Sequence, residues 1–177
     1  MIYLPHRRKS FRGSADPGND EYTKLLLHMD GTDDAQLFTD SSVGNLVKTG
    51  DAMVGTGYGV FDGTGDYLTV GDHADWDFGI GSFTIEMWVR FNTTGTSERI
   101  ISQFETSGGT DRAWELYHFN TDLIGFAAKN AAGTSFINLT STNTVVADTW
   151  YHIAVSRDGT TKAYLFVDGV EWASDTS

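Results

Sequence analysis

The sequence predicts an all-β fold, an antiparallel β-sandwich with almost no helix, on three observations. Extended segments with two-residue alternation recur along the chain between short turns rich in Gly, Asp, Asn and Ser, the pattern of strands in stacked sheets. No apolar pattern with a 3.6-residue period runs for the length of a helix, and the one helical turn expected lies at 73–76. The 40% hydrophobic content includes 11 Phe, 7 Tyr and 5 Trp, and 20 glycines stand against 2 prolines. That is enough apolar bulk for a core and enough glycine for many tight turns.

Residues 1–22 carry no periodic pattern. Pro5, the basic cluster Arg7, Arg8, Lys9 and Arg12, Gly13 and ADPGND read as an extended N-terminal arm, with the sandwich domain at 23–177. KLLLHM at 24–29 is a nearly continuous apolar run, the mark of a covered first strand. DGTDDAQLFTDSSVGN then forms a long connection pinned by Leu37 and Phe38. Strands are expected near 46–48, at 58–61 and in DYLTV at 66–70.

The segment Ser82–Phe91 (SFTIEMWVRF) bears large apolar groups on both faces and suits a central strand. Alternation puts Phe83, Ile85, Met87 and Val89 toward the core, and Thr84, Glu86, Trp88 and Arg90 on the outer face. Further strands are expected at 99–104, 113–119, 123–128 and 135–140, joined by turn-like NTTGTSE, TSGGTD, NTD and KNAAGT. In 150–157, Tyr151, Ile153 and Val155 alternate with Trp150, His152 and Ala154. Asp158-Gly159 and Asp168-Gly169 then mark hairpin turns on either side of a strand at 162–167, with a last strand at 170–173.

Charge and composition exclude several classes. The net charge is −12. The first twelve residues hold four of the 12 basic side chains and no acidic one, leaving the remainder eight basic against 24 acidic. Such a body repels a phosphate backbone, so nucleic-acid binding by the folded domain is not expected. The basic arm, by contrast, suits an acidic protein surface or a nucleic acid, becoming ordered only there, or else a frayed, solvated end. The chain contains no cysteine, which excludes disulfides, thiolate metal sites and cysteine nucleophiles. No run approaches the roughly 20 apolar residues of a membrane span, and MIYLPHRRKS lacks the apolar region of a secretory signal.

KLLLHMDG at 24–31, TDSS at 39–42, FDGTGDYLTV at 61–70, DFGIGSFTIEMWVRF at 77–91, WYHIAVSRDG at 150–159 and AYLFVDG at 163–169 follow one another in order. In this the chain resembles the concanavalin A-like jelly rolls of laminin-G and pentraxin type, a form frequent in phage and bacterial surface proteins. The resemblance covers residue 24 onward and implies the sandwich fold. It leaves function open among lectins, hydrolases and structural modules. Members usually continue past the VDG hairpin, so a chain ending at Ser177 is expected to lack the usual final strands and to present an edge to a partner.

Hydrolysis of a glycan needs two carboxylates flanking one cleft, roughly 5–10 Å apart. The Glu-x-Asp-x-x-Glu pattern of glycosidases that resemble this fold does not occur here. Glu86 and Glu115 each stand alone, and solvated or salt-bridged carboxylates account for both. No enzyme is expected. Sugar binding without hydrolysis uses exposed rings flanked by polar groups. Its candidates are Glu86, Trp88, Arg90, Trp114 and Tyr117, although alternation points Trp114 and Tyr117 to opposite faces and some rings must fill the core. Trp172 is also available.

Calcium takes six to eight oxygen ligands from loops, and related pentraxin and laminin-G domains often bind it. The candidate acids are Asp30, Asp33 and Asp34, then Asp62 with Asp66, then Asp72, Asp75 and Asp77, with turn capping as the competing role. The five histidines match no zinc signature, and GTGYG at 55–59 lacks the remainder of a phosphate loop. The leading expectation is a non-enzymatic structural or decoration module of a phage virion or other extracellular surface. It would join other protein subunits in an oligomeric assembly through its arm or open edge, with no membrane contact. A calcium-assisted carbohydrate-binding module for attachment is the alternative, and a glycan hydrolase-like protein the third.

Overall fold

The computed structural model describes residues 2–5, 27, 47–49, 53–55, 58–79, 81–103, 114–130, 133–159 and 162–175. The chain divides into two compact units, Met1–Asp72 and His73–Ser177.

In the first unit the described strands are β1 (Ile2–Pro5), β2 (Val47–Thr49), β3 (Met53–Gly55), β4 (Tyr58–Phe61) and β5 (Tyr67–Thr69). Strand β4 pairs antiparallel with β1, Ile2 opposite Phe61, and with β3, Met53 opposite Val60. Strands β2 and β5 form a separate antiparallel pair. The segment expected as an arm thus contributes a paired strand at its very start. Arg7, Arg8, Lys9 and Arg12 lie outside the described residues, as do Asp30, Asp33 and Asp34. Of the strand expected at 24–29 only Leu27, a half-buried bridge residue, is described.

Between β4 and β5 the sequence DGTGD turns the chain, with Gly63 and Gly65 at φ of 88° and 81°. The Asp62 N–H donates to Asp66 Oδ2 at 2.6 Å, and Asp62 Oδ1 accepts the Thr64 N–H at 2.7 Å. These carboxylates hold the turn by bonding its own backbone.

The second unit opens with a 3-10 turn, Ala74–Trp76. It continues through β6 (Phe83–Phe91), β7 (Glu98–Gln103), β8 (Trp114–His118), β9 (Leu123–Lys129), β10 (Ser135–Thr144), β11 (Trp150–Arg157), β12 (Ala163–Val167) and β13 (Val170–Asp175). Within this unit the strands form two antiparallel sheets of four, ordered β13-β12-β11-β6 and β10-β9-β8-β7. This is the β-sandwich the alternation predicts. Among the described residues no helix is long and apolar enough to cross a membrane.

The core comes from the inward positions of both sheets. Val89, Phe91, Leu116, Ile124, Phe126, Ile137, Leu139, Ile153, Val155 and Leu165 are all at most 1% exposed. Strand β6 keeps the expected orientation: Glu86 and Trp88 are exposed, Val89 is buried, and Phe83, Ile85 and Met87 are half-buried. Trp114 belongs to the core, its ring 5.0 Å from that of Phe78 and its indole N–H donating to the Trp76 carbonyl at 2.9 Å.

Strand β10 runs four residues further than alternation suggested. Its extension turns on Ser141, which is buried, accepts the Ile124 N–H and donates to the Asn143 carbonyl. A satisfied hydroxyl at an inward position hides the strand from a hydrophobic pattern. The two sheets are tied where β10 meets β13: the Asn138 N–H donates to Asp175 Oδ2 at 3.0 Å, and the Thr142 hydroxyl to the Trp172 carbonyl at 3.2 Å.

Candidate functional site

The outer face of the first sheet carries an exposed indole, Trp88, beside polar and aromatic side chains. Register decides which side chains meet there. Trp88 on β6 stands opposite His152 on β11, Glu86 opposite Ala154, and Thr84 opposite Ser156. On the far side of β11, Ala154 faces Phe166 and Ser156 faces Tyr164 of β12. Glu86 and Phe166 therefore flank Ala154, and Thr84 and Tyr164 flank Ser156, on the central strand. With strands 4.7–4.9 Å apart, the two flanking rows are separated by about 10 Å, which makes a shallow trough with a floor of small residues.

The trough is amphipathic. Trp88 is 41% exposed, and its ring lies 5.3 Å from that of His152 at an interplanar angle of 53°. His152 Nε2 is 3.7 Å from Glu86 Oε2. Tyr164 and Phe166 stack at 5.9 Å on the other side. Arg90 is ion-paired with Asp148. An exposed indole offers a flat apolar surface to the C–H face of a pyranose, and the carboxylate and imidazole beside it offer partners to its hydroxyls.

Three of the five glycan-site residues expected from sequence, Glu86, Trp88 and Arg90, therefore share one face. Trp114 is in the core. Tyr117 lies on the outer face of the opposite sheet, in an edge-to-face contact with Phe119 at 4.6 Å, and burial followed by the Glu115 charge pushes its pKa up. Trp172 packs edge-on against Tyr151. His152, Ala154, Ser156, Tyr164 and Phe166 were not singled out from sequence. Alternation assigns each to a face, but only strand pairing sets them beside Trp88.

The acids are committed elsewhere. Glu115 accepts from Arg99 Nε at 3.0 Å on the outer face of the second sheet, so Glu86 and Glu115 do not flank one cleft. Asp75 pairs with His73, and Asp77 accepts from Gln103 Nε2. Asp72 is exposed. Among the described residues no three His, Asp or Glu side chains converge as a metal-ligand set. Asp62 and Asp66 bond the backbone of their own turn.

One buried titratable group lies apart from the trough. His118 is wholly buried, its ring 4.5 Å from that of Phe91. Its Nε2 is 3.5 Å from Asp122 Oδ1 and its Nδ1 3.9 Å from Glu98 Oε2. Burial lowers its pKa from 6.5, against the opposing pull of Glu98 and Asp122. Asp122, at φ 63°, also accepts the Gly95 N–H at 2.6 Å. The group thereby joins the β6–β7 and β8–β9 connections.

A laminin-G family model, described as Concanavalin A-like lectin/glucanases superfamily, matches residues 62–177, which is more than half of the chain and all of the second unit. The chain belongs to the concanavalin A-like lectin/glucanase superfamily. A solved structure that shares this fold is the crystal structure of the binding domain of Paraclostridial Mosquitocidal Protein 1. It aligns with a TM-score of 0.66 at 14% identity, over 80% of this chain and 38% of that one. The present chain thus spans well under half of that protein chain. Comparison with curated proteins gives no match.

Proposed function

We propose that this chain is a non-enzymatic binding module of an extracellular or virion-surface assembly, and that the trough around Trp88 takes a carbohydrate. The carrying observation is the exposed indole on an outer sheet face, with Glu86 two residues away on its own strand, His152 opposite it on β11, and the small residues Ala154 and Ser156 continuing the β11 row. The similar solved structure is titled as a binding domain, which accords with recognition rather than turnover. The separation of Glu86 from Glu115 supports the same reading, since two-carboxylate hydrolysis needs both acids on one cleft. Attachment to the assembly falls to the basic segment containing Arg7, Arg8, Lys9 and Arg12, whose charge is opposite to that of the rest of the chain.

Glycan-array binding of the whole chain, with and without a chelator, tests this reading. The wild type is expected to retain at least one neutral oligosaccharide. Trp88→Ala should lose most of this retention while keeping its fold. Chelation should leave retention unchanged. Binding that survives Trp88→Ala, or no glycan bound at all, would refute the site. Loss on chelation would return a cation to the account.

A further inference from the structure

Arg157 closes the inward row of β11. Tyr151, Ile153 and Val155 precede it on that side, all buried, and Arg157 itself is only 4% exposed. One terminal nitrogen, Nη1, donates to the Gly79 carbonyl at 3.1 Å. The guanidinium carbon sits 5.2 Å from the centroid of the Phe136 ring. The Nε–H is buried and reaches no acceptor among the described residues. Among the described residues no ion pair includes Arg157.

A guanidinium stays charged at every physiological pH, and burying a charge is costly unless it is paired and hydrogen-bonded. A carbonyl and an aromatic face both attract it, but neither carries a negative charge. The adjacent acid does not help: Asp158 Oδ1 accepts the Lys162 N–H within its own hairpin. A water molecule would satisfy Nε without neutralising the charge. An oxyanion does both, because its two oxygens match the fork formed by Nε and a terminal nitrogen.

We propose that Arg157 anchors a site for a small oxyanion group, a carboxylate or a sulfate, where the Gly79 turn, the start of β10 and the end of β11 come together. The site is independent of the carbohydrate trough, since Arg157 faces inward and Trp88 outward on the same sheet. The Phe136 ring orients the guanidinium plane, and the Gly79 carbonyl occupies one donor and leaves the Nε side of the fork for the ligand.

The test is a titration of the full chain, labelled with nitrogen-15, with sodium sulfate, sodium acetate and sodium glucuronate. Sodium chloride at matched ionic strength and glucose serve as controls. The Arg157 Nε–H resonance is expected to move saturably with at least one oxyanion and to stay still with chloride and glucose. A response to sulfate or acetate assigns the site to the free ion; a response to glucuronate alone assigns it to the carboxylate of a sugar acid. At a ligand concentration 100 times Kd the unfolding constant should fall about 100-fold. Arg157→Met, which fills the site without a charge, should fold and lose this response. Arg157→Lys, which keeps the charge without the fork, should respond more weakly than wild type. An Arg157 resonance that no oxyanion moves, or equal stabilisation of wild type and Arg157→Met, overturns the proposal.

Discussion

Gly125 lies on the outer face of β9 beneath Tyr117 and Phe119. A Cβ there would come within 2.6 Å of the Tyr117 ring and 2.8 Å of the Phe119 ring. Both rings would have to lift, so Gly125→Ala should destabilise the protein by roughly 1–3 kcal/mol, the usual cost of overpacking. Urea denaturation measures this, and an unchanged midpoint would mean that the rings move freely. A glycine inside a strand pattern already signals close approach, but which rings approach it depends on the β8–β9 register, which places Tyr117 opposite Gly125. The same limit applies to Trp88. Alternation turned it outward, and pairing with β11 supplied His152.

At the level of elements, the turns were the most legible features. The Asp168-Gly169 turn has φ of 52° and 78°, as an Asp-Gly hairpin requires. Its value extends past the hairpin: Asp168 Oδ1 accepts the His152 N–H at 2.9 Å, and the Asp168 N–H donates to the His152 carbonyl at 2.8 Å. One residue thus turns β12 into β13 and continues the pairing to β11. Asp168→Ala loses the side-chain acceptor and strains the left-handed backbone, at about 1–3 kcal/mol together. Asp168→Asn, which keeps an acceptor and tolerates that conformation, should retain most of the stability in the same urea experiment. Strands β1 and β3 escaped the sequence reading because β1 begins beside a basic cluster that reads as solvated, and β3 runs into the glycine-rich GTGYG at 55–59, which reads as a turn.

For the whole molecule, pH should act through His118. Its folded pKa is lowered by burial, so between that value and 6.5 the unfolded chain binds more protons than the folded one. The stability it contributes is present above about pH 6.5 and is lost as pH falls through the lowered folded value. Melting temperatures between pH 8 and pH 5 should decline in wild type, and His118→Gln should show a shallower decline. Identical slopes would show that Glu98 and Asp122 cancel the burial effect. His118 on the second sheet packs against Phe91 of the facing sheet and approaches Glu98 and Asp122 of its own, so this dependence belongs to the assembled sandwich and not to any single strand.

Short-range physics carried the sequence reading: side-chain alternation fixed the faces of the strands, Asp-Gly pairs fixed the hairpins, and motifs in order indicated the superfamily. The tertiary structure alone decided partnership. It split the expected aromatic platform by placing Trp114 in the core, gathered the trough around Trp88, and buried Arg157 with an unsatisfied donor. Alternation is a property of one strand, whereas register and sheet stacking join residues dozens of positions apart, and no local pattern encodes which of them will touch.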